Sequence, residues 1–157
     1  MRGAPQLSLK GRALRLLSGR EHARSELERK LAAPEEEPGQ LRRVLDELQA
    51  KGFIDHQRDA DSVIHRRAGK LGAARIRQEL QAKGLDPELV AQAVSALRAT
   101  ETQRARDVWA RKFGEPPADA AERGRQARFL AARGFDGDVI RRVLAGERQG
   151  NPLPRQD

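Results

Sequence analysis

Lys83-Gly84-Leu85-Asp86-Pro87-Glu88-Leu89-Val90 returns 50 residues later as Arg133-Gly134-Phe135-Asp136-Gly137-Asp138-Val139-Ile140, position by position. Each copy reads as the end of one helix followed by the start of the next. The glycine takes the left-handed conformation that closes a helix, and the aspartate offers its side chain to the first free N–H groups of the following helix. Pro87 then occupies the first helical position, where its missing N–H costs nothing. The apolar residues that follow keep the same register. Leu41, Val44, Leu45 and Leu48 fall on one helical stripe, Val90, Ala93, Val94 and Leu97 repeat it, and Ile140, Val143 and Leu144 repeat it again. The helices before the turns agree, since Leu27 and Leu31 map onto Ile76 and Leu80, and Leu80 maps onto Leu130.

A further helix opens each copy, carrying Ala13, Leu14 and Leu17, then Val63 and Ile64, then Ala105, Val108, Trp109 and Phe113. The expected architecture is therefore all-α, with three tandem three-helix repeats over 9–54, 55–99 and 100–146, at a period of about 50 residues. Residues 1–8 and 147–157 read as flexible ends. One such repeat buries too little apolar surface to stand alone, so neighbours must share a core, which implies an elongated, curved array. Pro34-Glu35-Glu36-Glu37-Pro38 and Gly114-Glu115-Pro116-Pro117 read as solvent loops.

Composition fits this reading. The 157 residues include 24 alanines and only 3% aromatics, with one Trp and four Phe, which disfavours a β-sandwich or barrel. The chain has no cysteine, so disulfides, thiolate metal sites and a cysteine nucleophile are excluded. No stretch approaches a spanning segment, and Met1–Lys10 lacks the apolar run of a signal peptide. A soluble, cytoplasmic protein is expected, and a monomer is the simplest state.

Catalytic constellations are absent: His22, His56 and His65 accompany no metalloprotease helix, phosphate loop or nucleophile elbow. Asp55, His56, Asp59, Asp61 and His65 gather near one helix entry, where capping and surface charge explain them better than a metal. No enzyme activity, metal or cofactor is expected. Charge is more informative. Lys+Arg total 31 against 23 Asp+Glu, a formal +8, which favours acidic partners. Arg66, Arg67, Lys70, Arg75, Arg77 and Lys83 lie within 18 positions that contain one acid, Glu79. Leu80–Leu97 also has the outline of a helix-turn-helix with Gln92, Ser95 and Arg98 as base readers, but the same turn at 133–140 makes repeat packing the economical explanation of both.

The order and spacing of three segments resemble the bacterial RecX regulators of the RecA recombinase. These are Ala13-Leu14-Arg15-Leu16-Leu17 with Arg20 and Glu26-Leu27-Glu28-Arg29-Lys30-Leu31; Val44-Leu45-Asp46-Glu47-Leu48 through Gly52-Phe53-Ile54-Asp55; and Gly72-Ala73-Ala74-Arg75-Ile76-Arg77-Gln78-Glu79-Leu80 with Lys83-Gly84. The resemblance covers about Leu9 to Gly146. The chain departs from the family pattern at Ala23, where a serine is usual, at His56, where an acid is usual, and at Asp59, where a phenylalanine is usual. A carboxylate in place of a buried ring must find a partner or turn to solvent. Either the packing around it differs, or Asp59 faces water and neighbours such as Ile64 fill the space.

The resemblance implies three three-helix units that bind RecA, lodge in the groove of the RecA–DNA filament and suppress ATP hydrolysis, strand exchange and co-protease activity. Charge and position then nominate Arg66, Arg67, Lys70, Arg75, Arg77 and Lys83 as partner-binding residues, with Arg141 and Arg142 in the last repeat. The rival is a basic helical module acting directly on DNA, weakly and without RecA; its affinity would fall steeply with salt.

Overall fold

The computed structural model describes residues 7–146. Among them are nine helices and no strand: α1 Leu9–Gly19, α2 Arg24–Lys30, α3 Gln40–Ala50, α4 His56–Arg67, α5 Ala73–Ala82, α6 Pro87–Ala99, α7 Glu101–Lys112, α8 Ala120–Ala132 and α9 Gly137–Leu144. The ends expected to be flexible lie outside the described residues except at Leu7 and Ser8. Ser8 has a defined task, accepting the Gly11 N–H through its hydroxyl as the N-cap of α1.

The helix boundaries follow from local chemistry. Gly84 and Gly134 have φ of +73° and +88°, the left-handed region in which any larger side chain is strained. Asp86 accepts from Glu88 N and Asp136 from Asp138 N, both at 2.8 Å, and Pro87 stands in the first turn of α6. α3 begins after Gly39, which has no side chain to cap with. Glu35 substitutes from within the acidic loop, accepting the N–H groups of Gly39 and Leu41. That loop is exposed from 32 to 39. The 114–117 loop is mostly exposed but anchored, because the buried Gln126 amide donates to Glu115 O and accepts from Trp109 Nε1 at 2.8 Å.

The helices form two compact units. The first contains 7–62 together with the short segment 82–85; the second contains 63–81 and the remainder from 86. α4 therefore contributes residues to both. In the first unit the core is Ala13, Leu27, Leu31, Leu45, Leu48 and Ile54, flanked by partly buried leucines of α1 and α3. In the second, Ala105, Val108, Leu130, Phe135, Ile140, Val143 and Leu144 form a cluster across α7, α8 and α9. Apart from Ile54 and Phe135, these are helical apolar positions read from the sequence. Each fully buried leucine contributes about 1.5–3 kcal/mol of burial free energy.

Asp59 does not turn to solvent. It is 1% exposed, and Lys83 Nζ donates to both its oxygens at 2.9 and 3.1 Å. The same ammonium lies 2.6 Å from Glu26. Ser25 Oγ donates to the Lys83 carbonyl oxygen, so side chain and backbone of this turn are both held within the first unit.

Candidate functional site

Seven of the eight cations nominated from the sequence belong to the second unit, and Lys83 belongs to the first. Lys83 has a side chain only 11% exposed and already faces two carboxylates. Its charge is engaged inside the fold, which corrects its place on a basic outer face. Its partner Glu26 is pushed up by burial, but hydrogen bonds from Arg20, Lys83 and the Ala23 N–H outweigh this and hold its carboxyl down at about 2.

The remaining residues divide by task. Arg66 and Arg67 are exposed at the end of α4, where Arg67 Nε reaches Glu79 at 3.3 Å. Arg75 and Arg77 are exposed on α5. Arg75 Nη1 donates to Ala132 O at 2.7 Å, and its Cβ and Cγ press against Gly134. Arg141 pairs with Asp138 one turn away, a surface bridge in which both side chains are about two-thirds exposed, and so of little energetic weight. Arg142 is exposed on α9. Arg66, Lys70 and Arg77 have no carboxylate partner among the described residues, so their charge is available to a ligand.

Lys70 is the residue that the fold brings into new company. It lies in the loop after α4, whose carbonyl groups need donors. α7 supplies them: Arg104 donates to Ala68 O and Leu71 O at 3.0 and 2.7 Å, and Arg111 donates to Gly69 O at 2.7 Å. Positive side chains at a helix C-terminus also complement its dipole. Burial lowers the Arg104 guanidinium from its ordinary value, opposed by the nearby Glu101. With the loop fixed in this way, Lys70 lines a recess of about 450 Å³ with Val108, Arg111, Lys112, Phe129 and Arg133.

A second recess of about 410 Å³ shares Lys112 and Phe129 and adds Phe113 and Arg125. The two rings meet edge to face at 5.3 Å. Arg133 lies 4.5 Å over Phe129, Lys112 lies 5.6 Å over it, and Arg125 lies 5.9 Å over Phe113. No carboxylate lines either recess.

Sequence reasoning missed Arg111, Lys112, Arg125 and Arg133 as members of a common surface. They are spread over α7, α8 and the following turn, and local charge density nowhere matches that of 66–83. The signal available was Phe129 with Arg125 and Arg133 at four-residue intervals, which places all three on one helical face.

The cluster of acids and histidines at the start of α4 is occupied by structural contacts. Asp55 accepts from Arg58 N at 3.0 Å, His56 Nε2 accepts from Arg24 N, and Asp61 accepts from Gln57. Asp59 holds Lys83. Among the described residues no group of three or more acids and histidines is arranged to hold a metal ion, and no helix is long and apolar enough to cross a membrane.

Residues 55–94 match the second three-helix domain of RecX and residues 99–144 match the third. The chain is 56% identical over 140 residues to the regulatory protein RecX of Leptothrix cholodnii, covering 89% of each chain. It is 46% identical over 140 residues to that of Ralstonia nicotianae, covering 89% of this chain and 88% of the relative. The crystal structure of RecX from Lactobacillus salivarius superposes with a TM-score of 0.74 at 18% identity, over 88% of this chain and 93% of the other. A second RecX crystal structure gives 0.68 at 20% identity, over 86% of this chain and 70% of the other. With this repeat register, all-helical fold and degree of identity, the chain belongs to the RecX family.

Proposed function

We propose that this protein is a non-enzymatic regulator that binds RecA and the RecA–DNA filament and lowers the recombinase, ATPase and co-protease activities of RecA. The observation that carries the reading is membership of the RecX family together with a second unit that presents Arg66, Lys70 and Arg77 with no carboxylate partner among the described residues, beside Arg67, Arg75, Arg141 and Arg142. Such a surface suits an acidic protein face or a phosphate-lined groove. Electrostatic attraction of this kind speeds encounter and makes binding salt-sensitive, while apolar contacts set the residence time. Lys83 is excluded from the contact set and serves the fold. The protein acts as a cytoplasmic monomer in this reading and has no cofactor.

The test is the single-strand-dependent ATPase rate of purified cognate RecA, titrated with this protein from substoichiometric to equimolar amounts. Binding of the protein alone to the same DNA is measured in the same buffer. Inhibition at ratios well below saturation of the DNA is expected. Inhibition that appears only as the protein covers the DNA would replace filament regulation by competition for nucleic acid.

A further inference from the structure

We infer that Phe53 is an apolar anchor with which the first unit seats in a pocket of RecA; the inference rests on the reading of this protein as a RecA regulator. Its starting point is a difference between turns of one design. After α3 and after α8 a left-handed glycine closes the helix with the same two hydrogen bonds. Gly52 N–H donates to Gln49 O and Phe53 N–H to Leu48 O, as Gly134 N–H donates to Ala131 O and Phe135 N–H to Leu130 O. After α5 and α8 a single residue, Leu85 or Phe135, separates the glycine from the capping aspartate, and it is buried. After α3 there are two, Phe53 and Ile54, before Asp55. Ile54 takes the inward place at 2% exposed, and the ring of Phe53 stands in solvent at 47%.

A single exposed apolar side chain is ordinary, but this one is held in place. Arg58 Nη2 donates to Gly52 O at 2.9 Å and reaches Phe53 O at 3.5 Å, while the same guanidinium pairs with Glu21. The Arg58 N–H donates to Asp55 at 3.0 Å. The turn is therefore fixed before a partner arrives, and docking has little backbone freedom to remove. Among the described residues the other exposed large apolar side chain is Leu7, the first of them.

The neighbours indicate the chemistry of the partner. Lys51 and Lys10 share Glu47 at 2.8 and 2.7 Å, and Arg58 has Glu21 and Asp55. Three cations stand against three carboxylates, so this turn has no net charge with which to attract a polyanion, in contrast to the cations of the second unit. A second copy of this chain is also a poor fit. Burying a phenylalanine removes about 150–250 Å², well short of the roughly 800 Å² per partner in a stable interface. Phe53 acts instead as one strong point within a larger interface, whose remaining contacts are those proposed for RecA. A few side chains seated in desolvated pockets carry most of the energy of such an interface.

The experiment is the binding kinetics of the full-length protein on immobilised RecA filaments, measured at two salt concentrations. Phe53→Ser is compared with Lys51→Ser, which alters the same turn without touching the ring. Phe53→Ser is expected to weaken binding about tenfold or more, through faster dissociation, and by the same factor at both salt concentrations because no charge is removed. Lys51→Ser is expected to change it by no more than about twofold. The urea midpoint of Phe53→Ser is expected to match that of the unaltered protein; a clear fall would make Phe53 part of the core and overturn the inference. Equal RecA affinity of Phe53→Ser and the unaltered protein would overturn the anchor and leave the proposed function standing, whereas an unaltered protein that does not bind RecA removes both. Sedimentation that shows self-association of the unaltered protein, lost in Phe53→Ser, would assign the ring to a second copy instead.

Discussion

The turn between α5 and α6 and the turn between α8 and α9 have the same backbone and opposite fates for their charge. Both carry a cation, a left-handed glycine and a capping aspartate, 50 residues apart. In the first, Lys83 points inward to Glu26 and Asp59. In the second, Arg133 lies over Phe129 and contributes to a recess open to a ligand. The surroundings explain the difference. The position matching Glu26 is Arg75, a cation, which offers Arg133 no carboxylate to pair with. The position matching Ala23 is Gly72, whose N–H donates to Arg133 O at 2.8 Å. Backbone meets backbone there, and a Cβ on Gly72 would overlap the Gly134 carbonyl. At the first turn Ala23 fills the matching position, and its N–H donates to the Glu26 carboxylate at 3.1 Å instead. Local sequence decides the turn; residues tens of positions away decide what its cation does.

The comparison is broken most directly at its two cations. Lys83→Met leaves the buried Asp59 carboxylate unpaired and is expected to cost about 3–5 kcal/mol in urea unfolding, whereas Arg133→Met loses a cation–π contact of about 0.5–1 kcal/mol. Adding Asp59→Leu to Lys83→Met should recover most of the loss, because an apolar replacement of a buried pair is close to neutral. Equal costs at the two cations would mean that the turns do not differ in the way described.

The glycines sharpen the same contrast. Gly72→Ala forces a Cβ into fixed backbone and is expected to cost about 3 kcal/mol, the upper end of overpacking. Gly84→Ala meets the movable Ser25 hydroxyl at 2.6 Å and is expected to cost about 1–2 kcal/mol, chiefly from its left-handed φ. A milder loss at Gly72 than at Gly84 would show that the second turn yields more readily than the backbone contact implies.

The smallest effect is the pH dependence of the buried groups at the first turn. Burial is the main cause lowering His22, and its Nε2 lies 3.1 Å from Lys30 Nζ. Glu26 is held at about 2. Both groups bind protons less readily folded than unfolded, so each contributes stability that is complete above its ordinary value. That stability declines with acidification: below about 6.5 for His22, then from about 4.5 towards 2 for Glu26. Amide exchange at Leu27 and Leu31 should accelerate in acid before exchange at Leu130. Simultaneous acceleration would contradict a first turn that is selectively acid-labile.

Much of this was legible in the sequence because it depends on neighbours a few residues apart. The caps at Asp86 and Asp136, the left-handed Gly84 and Gly134, and the stripes through Leu45, Val94 and Val143 all appear where the spacing puts them. Asp59 announced itself as a problem, but its answer lay 24 residues on at Lys83. The basic face was only partly legible for the same reason. Charge density along the chain found Lys70, but not Arg111 and Lys112 on α7 or Arg133 after α8, which join it only through folding. Counting cations also placed Lys83 outside, since nothing in its immediate sequence distinguishes an engaged ammonium from a free one.

The central claim is that cations presented by the second unit act on the partner while those engaged in the fold act on stability. The most direct test is Arg66→Glu with Arg67→Glu and Lys70→Glu in one protein, measured for RecA ATPase inhibition and for its urea midpoint in parallel. Loss of inhibition at a nearly unchanged midpoint is predicted, since surface substitutions of this kind move stability by about 0.5 kcal/mol or less each. Full inhibition by the folded triple variant would contradict the claim.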